Sequence, residues 1–282
     1  MSTVDQVTDP LSYHGEGPVW FAGWPGLRWV DMLAGDVLEL DAVTREVSRH
    51  HVGTVAAALR PRPDGGAVLA VERGFALANH SLDEIEPLGE LWSDSGVRMN
   101  EGGCDPDGRF YCGSMAYDTR AGAGKLYRLD AGGTVRTVLT GVTISNGLAW
   151  SPDGTTAYYI DTPSQRIDRF DYDGELTGRR PAVLVPPEAG APDGMTVDAD
   201  GRLWVALWGG SAVHCYTPEG KLEERVTLPV TQVTACAFGG PDLDELFITT
   251  SRQGIGDGEQ PEAGALFSYR PGVRGIPVLT FG

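Results

Sequence analysis

The sequence lacks the cysteine and histidine patterns that hold structural metals or disulfides. No CxxC pair occurs among its four cysteines, and its five histidines do not gather at ligand spacing. Neither a zinc finger nor a disulfide framework is indicated. The pattern instead predicts reduced, mostly buried thiols in a cytoplasmic protein, at Cys104, Cys112, Cys215 and Cys236.

Positive charge and long apolar runs are also scarce. The chain has 22 basic against 39 acidic side chains, a net charge of −17, and no Lys/Arg cluster. We expect no nucleic-acid partner, because such proteins need a basic face to neutralise phosphates. No stretch reaches the roughly eighteen consecutive apolar residues of a membrane helix, so no membrane association is expected. The N-terminus has neither a basic leader nor an apolar run, so it does not resemble a signal peptide.

Several familiar catalytic motifs are missing as well. The sequence has no GxSxG elbow, no P-loop and no HExxH. The glycine-rich segment GIGDGEQ near Gly254 does not follow the dinucleotide-binding pattern, so we interpret it as a loop. Ser-His-Asp chemistry stays open, although no histidine falls in the repeat register described below.

Turn-forming residues are abundant, with 39 glycines and 19 prolines. They recur in six copies of one unit, in which an apolar strand and a Pro/Asp/Gly turn precede a second strand. Asp-Gly between alternating apolar residues predicts a hairpin, because glycine supplies the positive φ that the turn needs. The copies read VWFAGWPGLRWVDM, ALRPRPDGGAVLAV, GGCDPDGRFYCGSM, LAWSPDGTTAYYIDT, MTVDADGRLWVALW and ACAFGGPDLDELFITTS.

A second recurring segment follows each hairpin and completes the unit. Its segments are GDVLELD, GFALANH, GKLYRLD, QRIDRFD, SAVHCYT and GALFSYR, each leading into a further apolar stretch. About four strands in roughly 40–50 residues is the size of a propeller blade. The sequence thus predicts an all-β, six-bladed β-propeller with about four antiparallel strands per blade. We expect one domain over residues 1–282, a short lead-in over 1–12, ring closure by strands from both termini, and a monomer.

One position in the repeat carries the functional signal. Seven residues before each turn, four copies have an oxygen-bearing side chain and two have a methyl group. Equivalent positions of a closed repeat converge on its axis, so we call them the ring positions. They are Glu16, Ala57, Asn100, Asn146, Asp193 and Ala235.

The ring positions favour a metal site over simple turns. A lone Asn-Gly or Asp-Gly is ordinarily a turn, but a merely solvated register would vary among Ser, Thr, Lys and Gln. Carboxylates with amide oxygens suit Ca²⁺, with Mg²⁺ or Mn²⁺ as alternatives. Glycine follows three of these residues and permits close backbone approach or an unusual turn. The two alanines are expected to leave room for a substrate.

Two further features receive different interpretations. Arg98 lies two residues before Asn100, so alternation places both side chains on one side of an extended segment. It could bind substrate oxygens or form a buried structural salt bridge. The turn segments DPDGR and SPDGT lack the spacing of an EF-hand and are interpreted as hairpin turns.

Several motifs in order resemble one family. HGEGPVW, RMNEGG with DPDGRFYCGSM, ISNGLAWSPD, PDGMTVDADGRLWVA and PEAGALF resemble the senescence-marker-protein (regucalcin), gluconolactonase and luciferin-regenerating-enzyme family. The likeness extends from about residue 16 to the C-terminus. It implies a six-bladed propeller that binds one divalent cation and hydrolyses sugar lactones. Ca²⁺ is the first expectation, with Zn²⁺, Mg²⁺, Mn²⁺ or Fe²⁺ as alternatives.

The resemblance also implies roles for individual residues. The metal ligands would be Glu16, Asn146 and Asp193, and Asp193 would also be the catalytic base. The cation would polarise the lactone carbonyl or activate water. The substrate contacts would be Arg98, Asn100 and Asp118, where Asp118 replaces the usual Glu. The alternatives are a metal-dependent esterase or organophosphate hydrolase at the same site, or a non-catalytic calcium-binding regulatory propeller.

Overall fold

The repeat folds as six antiparallel sheets of four strands each. The structure is a computed structural model that describes residues 4–282, and every sheet pairs its strands in simple up-and-down order. The innermost strands of neighbouring blades pack against one another around the ring. The predicted all-β, six-bladed propeller with four antiparallel strands per blade is therefore confirmed.

The first three blades follow one another along the chain. Blade 1 contains β2 (Gly15–Trp20), β3 (Gly26–Asp31), β4 (Asp36–Asp41) and β5 (Val47–His51). Blade 2 contains β6 (Ala56–Pro61), β7 (Ala67–Val71), β8 (Gly74–Ala78) and β9 (Ile85–Glu90). Blade 3 contains β10 (Val97–Cys104), β11 (Phe110–Ala116), β12 (Gly124–Leu129) and β13 (Val135–Val142).

The last three blades complete the ring. Blade 4 contains β14 (Ser145–Trp150), β15 (Thr156–Asp161), β16 (Arg166–Tyr172) and β17 (Leu176–Leu184). Blade 5 contains β18 (Ala191–Val197), β19 (Leu203–Trp208), β20 (Ala212–Tyr216) and β21 (Leu222–Thr227). Blade 6 contains β22 (Val233–Gly239), β23 (Glu245–Thr250), β24 (Phe267–Tyr269) and β1 (Asp5–Gln6). Three 3₁₀ turns lie at Met32–Ala34, Thr162–Ser164 and Pro187–Ala189.

Blade 6 is built from both ends of the described chain. Strand β1 pairs with β24 in the register Asp5↔Ser268 and Gln6↔Phe267. The expected closure of the ring by strands from both termini is thus confirmed, and the lead-in contributes one of these strands. Residues 1–3 of that lead-in lie outside the described residues.

The DPDGR turn and the equivalent DADGR turn of blade 5 are each held by an ion pair with a buried aspartate. Asp105 accepts hydrogen bonds from the amide and the Nε of Arg109, at 2.8 and 2.7 Å. Asp198 does the same with Arg202, at 2.9 and 2.8 Å. Both aspartates are at most 1% exposed. Since their oxygens are engaged by the turn itself, these aspartates stabilise hairpins.

Apolar side chains fill the spaces between the blades. All four cysteines are free and buried, as the sequence predicted.

In the part of the chain that the structure describes, no helix is long and apolar enough to cross a membrane.

Candidate metal centre and active-site cavity

The ring positions lie where each innermost strand departs from regular pairing. The register between the first and second strand of every blade shifts at this point, for example between Ser145 and Leu148 and between Pro192 and Met195. The other four blades have equivalent shifts. A β-bulge re-aims the side chains within it. In blades 2 to 5 the bulge takes the ring position out of the regular ladder, whereas in blades 1 and 6 the ring position keeps its ladder partner at the edge of the bulge.

Four ring positions meet in one cavity at the mouth of the central channel. Glu16, Asn100, Asn146 and Asp193 all line a cavity of about 430 Å³, together with Arg98. All five side chains are buried, with exposures of 3–6%. The structure therefore brings together five of the six site residues predicted from the sequence.

Two glycines beside the ring allow this arrangement. Gly17 has a φ of +50°, in the left-handed region that favours glycine. A Cβ on Gly194 would lie 2.5 Å from the Cβ of Ala235, so only glycine permits that approach of β18 to β22. Gly17 thus adopts an unusual backbone turn and Gly194 permits a close backbone approach, which are the two roles expected of the glycines.

A chain of hydrogen bonds orients the amide groups of the ring. Arg98 Nη1 donates to Asn100 Oδ1 at 2.6 Å, and Asn100 Nδ2 donates to Asn146 Oδ1 at 2.9 Å. Asn146 Nδ2 donates to Thr162 Oγ1 at 2.7 Å, and that hydroxyl donates to the carbonyl of Pro192 at 2.8 Å. Because the Asn146 nitrogen donates to Thr162, the Asn146 amide oxygen points toward the other ring positions and accepts from Asn100.

The two carboxylates of the ring are strongly perturbed. Burial raises the pKa of Asp193 well above its usual value, and the charge of Glu16 raises it further. The pKa of Glu16 is also raised, first by burial and then by the charge of Glu101. Arg98 opposes both shifts without cancelling them. Two buried anions close enough to repel each other form an environment in which a divalent cation is stabilised.

The donor set fits a hard divalent cation. It combines the carboxylates of Glu16 and Asp193 with the amide oxygen of Asn146, and oxygen donors of this kind suit Ca²⁺, Mg²⁺ and Mn²⁺. Within residues 4–282, no cluster of three or more His, Cys, Asp or Glu side chains is placed to hold a metal. A metal centre here therefore requires the Asn146 oxygen as well as the two carboxylates.

Asp118 is the predicted site residue that lies apart from the others. Its side chain is 64% exposed and pairs with Arg120 at 3.4 Å. Its neighbours Tyr117 and Thr119 line the cavity instead. The loop after β11 thus contributes an aromatic ring and a hydroxyl to the cavity wall, whereas the Asp118 carboxylate faces solvent.

The two alanines of the ring do not provide the room for a substrate. Ala57 is 1% exposed and packs in the hydrophobic core between blades. Ala235 lines a different cavity, of about 110 Å³, farther along the channel. The expectation that these positions leave space beside the ion is wrong, because the open volume lies above the ring, between the loops that follow the second strands.

Comparison with known proteins settles the family. A family model described as the SMP-30/Gluconolactonase/LRE-like region matches residues 14–252. The chain belongs to this family. The resemblance that the sequence motifs indicated is therefore confirmed.

Known relatives of this family match the chain over nearly its whole length. Regucalcin from Sus scrofa is 37% identical over 277 residues, covering 93% of each chain. The pentonolactonase XacC from Haloferax volcanii is 37% identical over 286 residues, covering 98% of this chain and 97% of its own. The solved structure of a calcium-binding protein, regucalcin from Agrobacterium tumefaciens, superposes with a TM-score of 0.92 at 29% identity. That superposition covers 100% of this chain and 97% of the other.

This SMP-30/gluconolactonase/LRE-like chain has further cavity residues that the sequence reasoning missed. They are His14, Tyr117, Trp208 and Gln253, among others. The signal for His14 was present, since it stands two residues before Glu16 just as Arg98 stands two before Asn100. Burial and then the charge of Arg98 lower the pKa of His14 to about 3. Trp208 and Gln253 lie at the ends of second strands or beyond them, outside the register that was compared.

A third buried carboxylate lies along the channel from the ring. Glu101 is 5% exposed, lines the smaller cavity with Arg60, and its Oε2 has no hydrogen-bond partner within residues 4–282. Burial raises the pKa of Glu101 from 4.5 to about 7, against the opposing charge of Arg60. The ionised form is therefore costly in the native state.

Replacing Glu101 with glutamine is expected to reduce the pH dependence of stability in the cation-free protein. Because the native pKa is the higher one, the native state binds the proton more tightly, and the free energy of unfolding falls as pH rises from 4.5 to 7. The fall amounts to about 3 kcal/mol. Chemical denaturation at about pH 5 and about pH 8 measures this difference. The free energy of unfolding should fall by roughly this amount more in wild type than in Glu101→Gln. The control Glu219→Gln, at an exposed turn, should show the same pH dependence of stability as wild type. A Glu101→Gln profile parallel to that of wild type would contradict the raised pKa of Glu101.

Proposed function

We propose that this protein is a divalent-cation-dependent lactonase that opens the ester bond of sugar lactones. The observation that carries the proposal is the convergence of Glu16, Asn146 and Asp193 beside Arg98 and Asn100 in one buried cavity. Metal binding alone would not require the last two residues. The 37% identity with a pentonolactonase supports the choice of substrate class.

Each predicted site residue has its own role in the proposed reaction. Glu16, Asn146 and Asp193 would hold the cation, which would supply Lewis-acid polarisation of the lactone carbonyl or of water. Asp193 would also serve as the base that accepts a proton from water, because its carboxylate lines the same buried cavity as Arg98 and Asn100. Arg98 donates hydrogen bonds to substrate oxygens. Asn100 gives its two amide protons to Ser145 O and Asn146 Oδ1, so it contacts the substrate through Oδ1, which accepts from a substrate hydroxyl. Asp118 enters the proposal as a contact for the part of a substrate that extends out of the cavity.

Calcium is the proposed cation. All three proposed ligands donate oxygen, and such sets suit Ca²⁺ over softer metals. The relative from Agrobacterium tumefaciens, described as calcium-binding, supports the same choice. The sequence expectation of a cytoplasmic monomer stands as a further prediction.

A proton-release assay across pentono- and hexonolactones tests the proposal. The protein should hydrolyse members of this panel with a divalent cation, lose activity in chelator, and recover it when the cation is restored. A simple carboxylic ester and an organophosphate serve as comparison substrates. A protein that binds the cation but hydrolyses no lactone, or that prefers the comparison substrates, would overturn the proposal.

A further inference from the structure

The cavity has a second polar wall that faces Arg98 and Asn100. The predicted contacts Arg98 and Asn100 both lie on β10 in blade 3. In a six-membered ring, blade 6 lies across the axis from blade 3. The wall on that side is formed by His14, before β2, by Trp208, at the end of β19, and by Gln253, after β23.

His14 presents one ring nitrogen to the cavity. It is 6% exposed, and its Nδ1 lies 2.8 Å from Ser251 Oγ. Its ring meets Trp208 edge-on, with the centroids 5.8 Å apart. Its Nε2 is 3.9 Å from Glu16 Oε1, which is beyond hydrogen-bond distance. In the part of the chain that the structure describes, Nε2 has no hydrogen-bond partner, although buried polar groups ordinarily have one.

Gln253 shares the anchor that holds His14. Its backbone amide donates to the same Ser251 Oγ at 3.1 Å, and its carbonyl accepts from Gln232 Nε2 at 3.0 Å. These bonds fix its main chain at the rim of the cavity. Gln253 lines the cavity, and its side-chain amide has no hydrogen bond to the described residues. Ser251 thus anchors the His14 ring and the main chain of Gln253 at the edge of one cavity.

We propose that His14 and Gln253 form a second hydrogen-bonding edge that binds hydroxyl groups of the lactone on the side away from Arg98. The inference rests on the proposed function and extends it to substrate recognition. A sugar lactone carries hydroxyls around its ring, so donors on blade 3 alone leave the opposite hydroxyls without protein partners. Trp208 offers an apolar aromatic surface between these polar groups and packs against C–H faces of the sugar.

Steady-state kinetics of His14→Ala, His14→Gln and Gln253→Ala test the proposal, with calorimetric cation titration as the second readout. His14→Ala should raise KM for the preferred lactone by about 5- to 30-fold, with kcat nearly unchanged, because a substrate hydrogen bond is lost. His14→Gln, which keeps a polar group, should recover part of the loss. Gln253→Ala, at a partly exposed position after β23, should also raise KM. The cation Kd should match wild type in all three variants, and His80→Ala, at an exposed histidine, should change nothing.

The outcomes separate this inference from the function on which it rests. A wild-type protein that hydrolyses lactones while all three variants keep its KM overturns the inference alone. A cation Kd weakened by His14→Ala also overturns it, since His14 would then hold the cation or Glu16 and not the substrate. A wild-type protein with no lactone turnover overturns the proposed function, and the second edge with it. Deoxy-lactones that lack one hydroxyl each should identify the hydroxyl on which the His14→Ala effect depends.

Discussion

Asp193→Asn is expected to lose cation binding and nearly all lactone hydrolysis. The substitution preserves the shape of the side chain but removes one of two anionic ligands and the proposed base. We expect kcat/KM to fall by about a thousandfold or more, the scale seen when one group that stabilises the transition state is removed. Cation affinity, measured by calorimetry on the chelator-treated protein, should fall in parallel.

The matched control for Asp193→Asn is Asp153→Asn. Asp153 also precedes a glycine, but it lies in an exposed hairpin turn and accepts hydrogen bonds from Ser151 and Thr155. Its replacement should leave activity and cation binding unchanged. Wild-type turnover by Asp193→Asn at saturating cation would show that the base and the essential ligand lie elsewhere.

Arg98→Met should separate catalysis from cation binding. Arg98 is 6% exposed and donates to Asn100 Oδ1, to the carbonyl of Met99 and to the sulfur of Met32. Its charge opposes the raised pKa values of Glu16 and Asp193. Removing that charge should preserve or tighten cation binding, whereas kcat/KM for lactones should fall by about a hundredfold through the loss of substrate contacts.

Arg98→Lys provides the control for this prediction. Lysine keeps the positive charge but lacks the planar fork of donors, so it cannot hold Asn100 and a substrate oxygen together. Its cation affinity should match wild type, with activity between wild type and Arg98→Met. Joint loss of cation and activity in Arg98→Met would instead identify Arg98 as a structural support of the ring.

The fold was predictable because the repeat is encoded locally. Asp-Gly turns, alternating apolar residues and a constant order of motifs appear in every copy, so each hairpin can be recognised without distant contacts. Closure of the ring by strands from both termini was expected, but the sequence did not identify Asp5–Gln6 as the outer strand of blade 6. A two-residue strand such as this has no periodicity of its own, and its bounds came only from the structure.

The candidate site was predictable to the extent that it follows the repeat. Glu16, Asn146 and Asp193 occupy one register, and the same bulge recurs in each innermost strand. The side-chain position of Asp118 was not predictable, because its loop turns the carboxylate toward Arg120. Gln253 escaped prediction for a similar reason, since loops beyond the second strands obey no shared period.

We propose that one cation held by the ring positions is required for lactone hydrolysis by this propeller. Titrating Ca²⁺ into the chelator-treated protein, while following the hydrolysis of an aldonolactone, tests it most directly. We expect no turnover without cation and a rate that rises to a plateau at one cation per chain. Full turnover by the cation-free protein, or none at any Ca²⁺ concentration with the cation demonstrably bound, would contradict it.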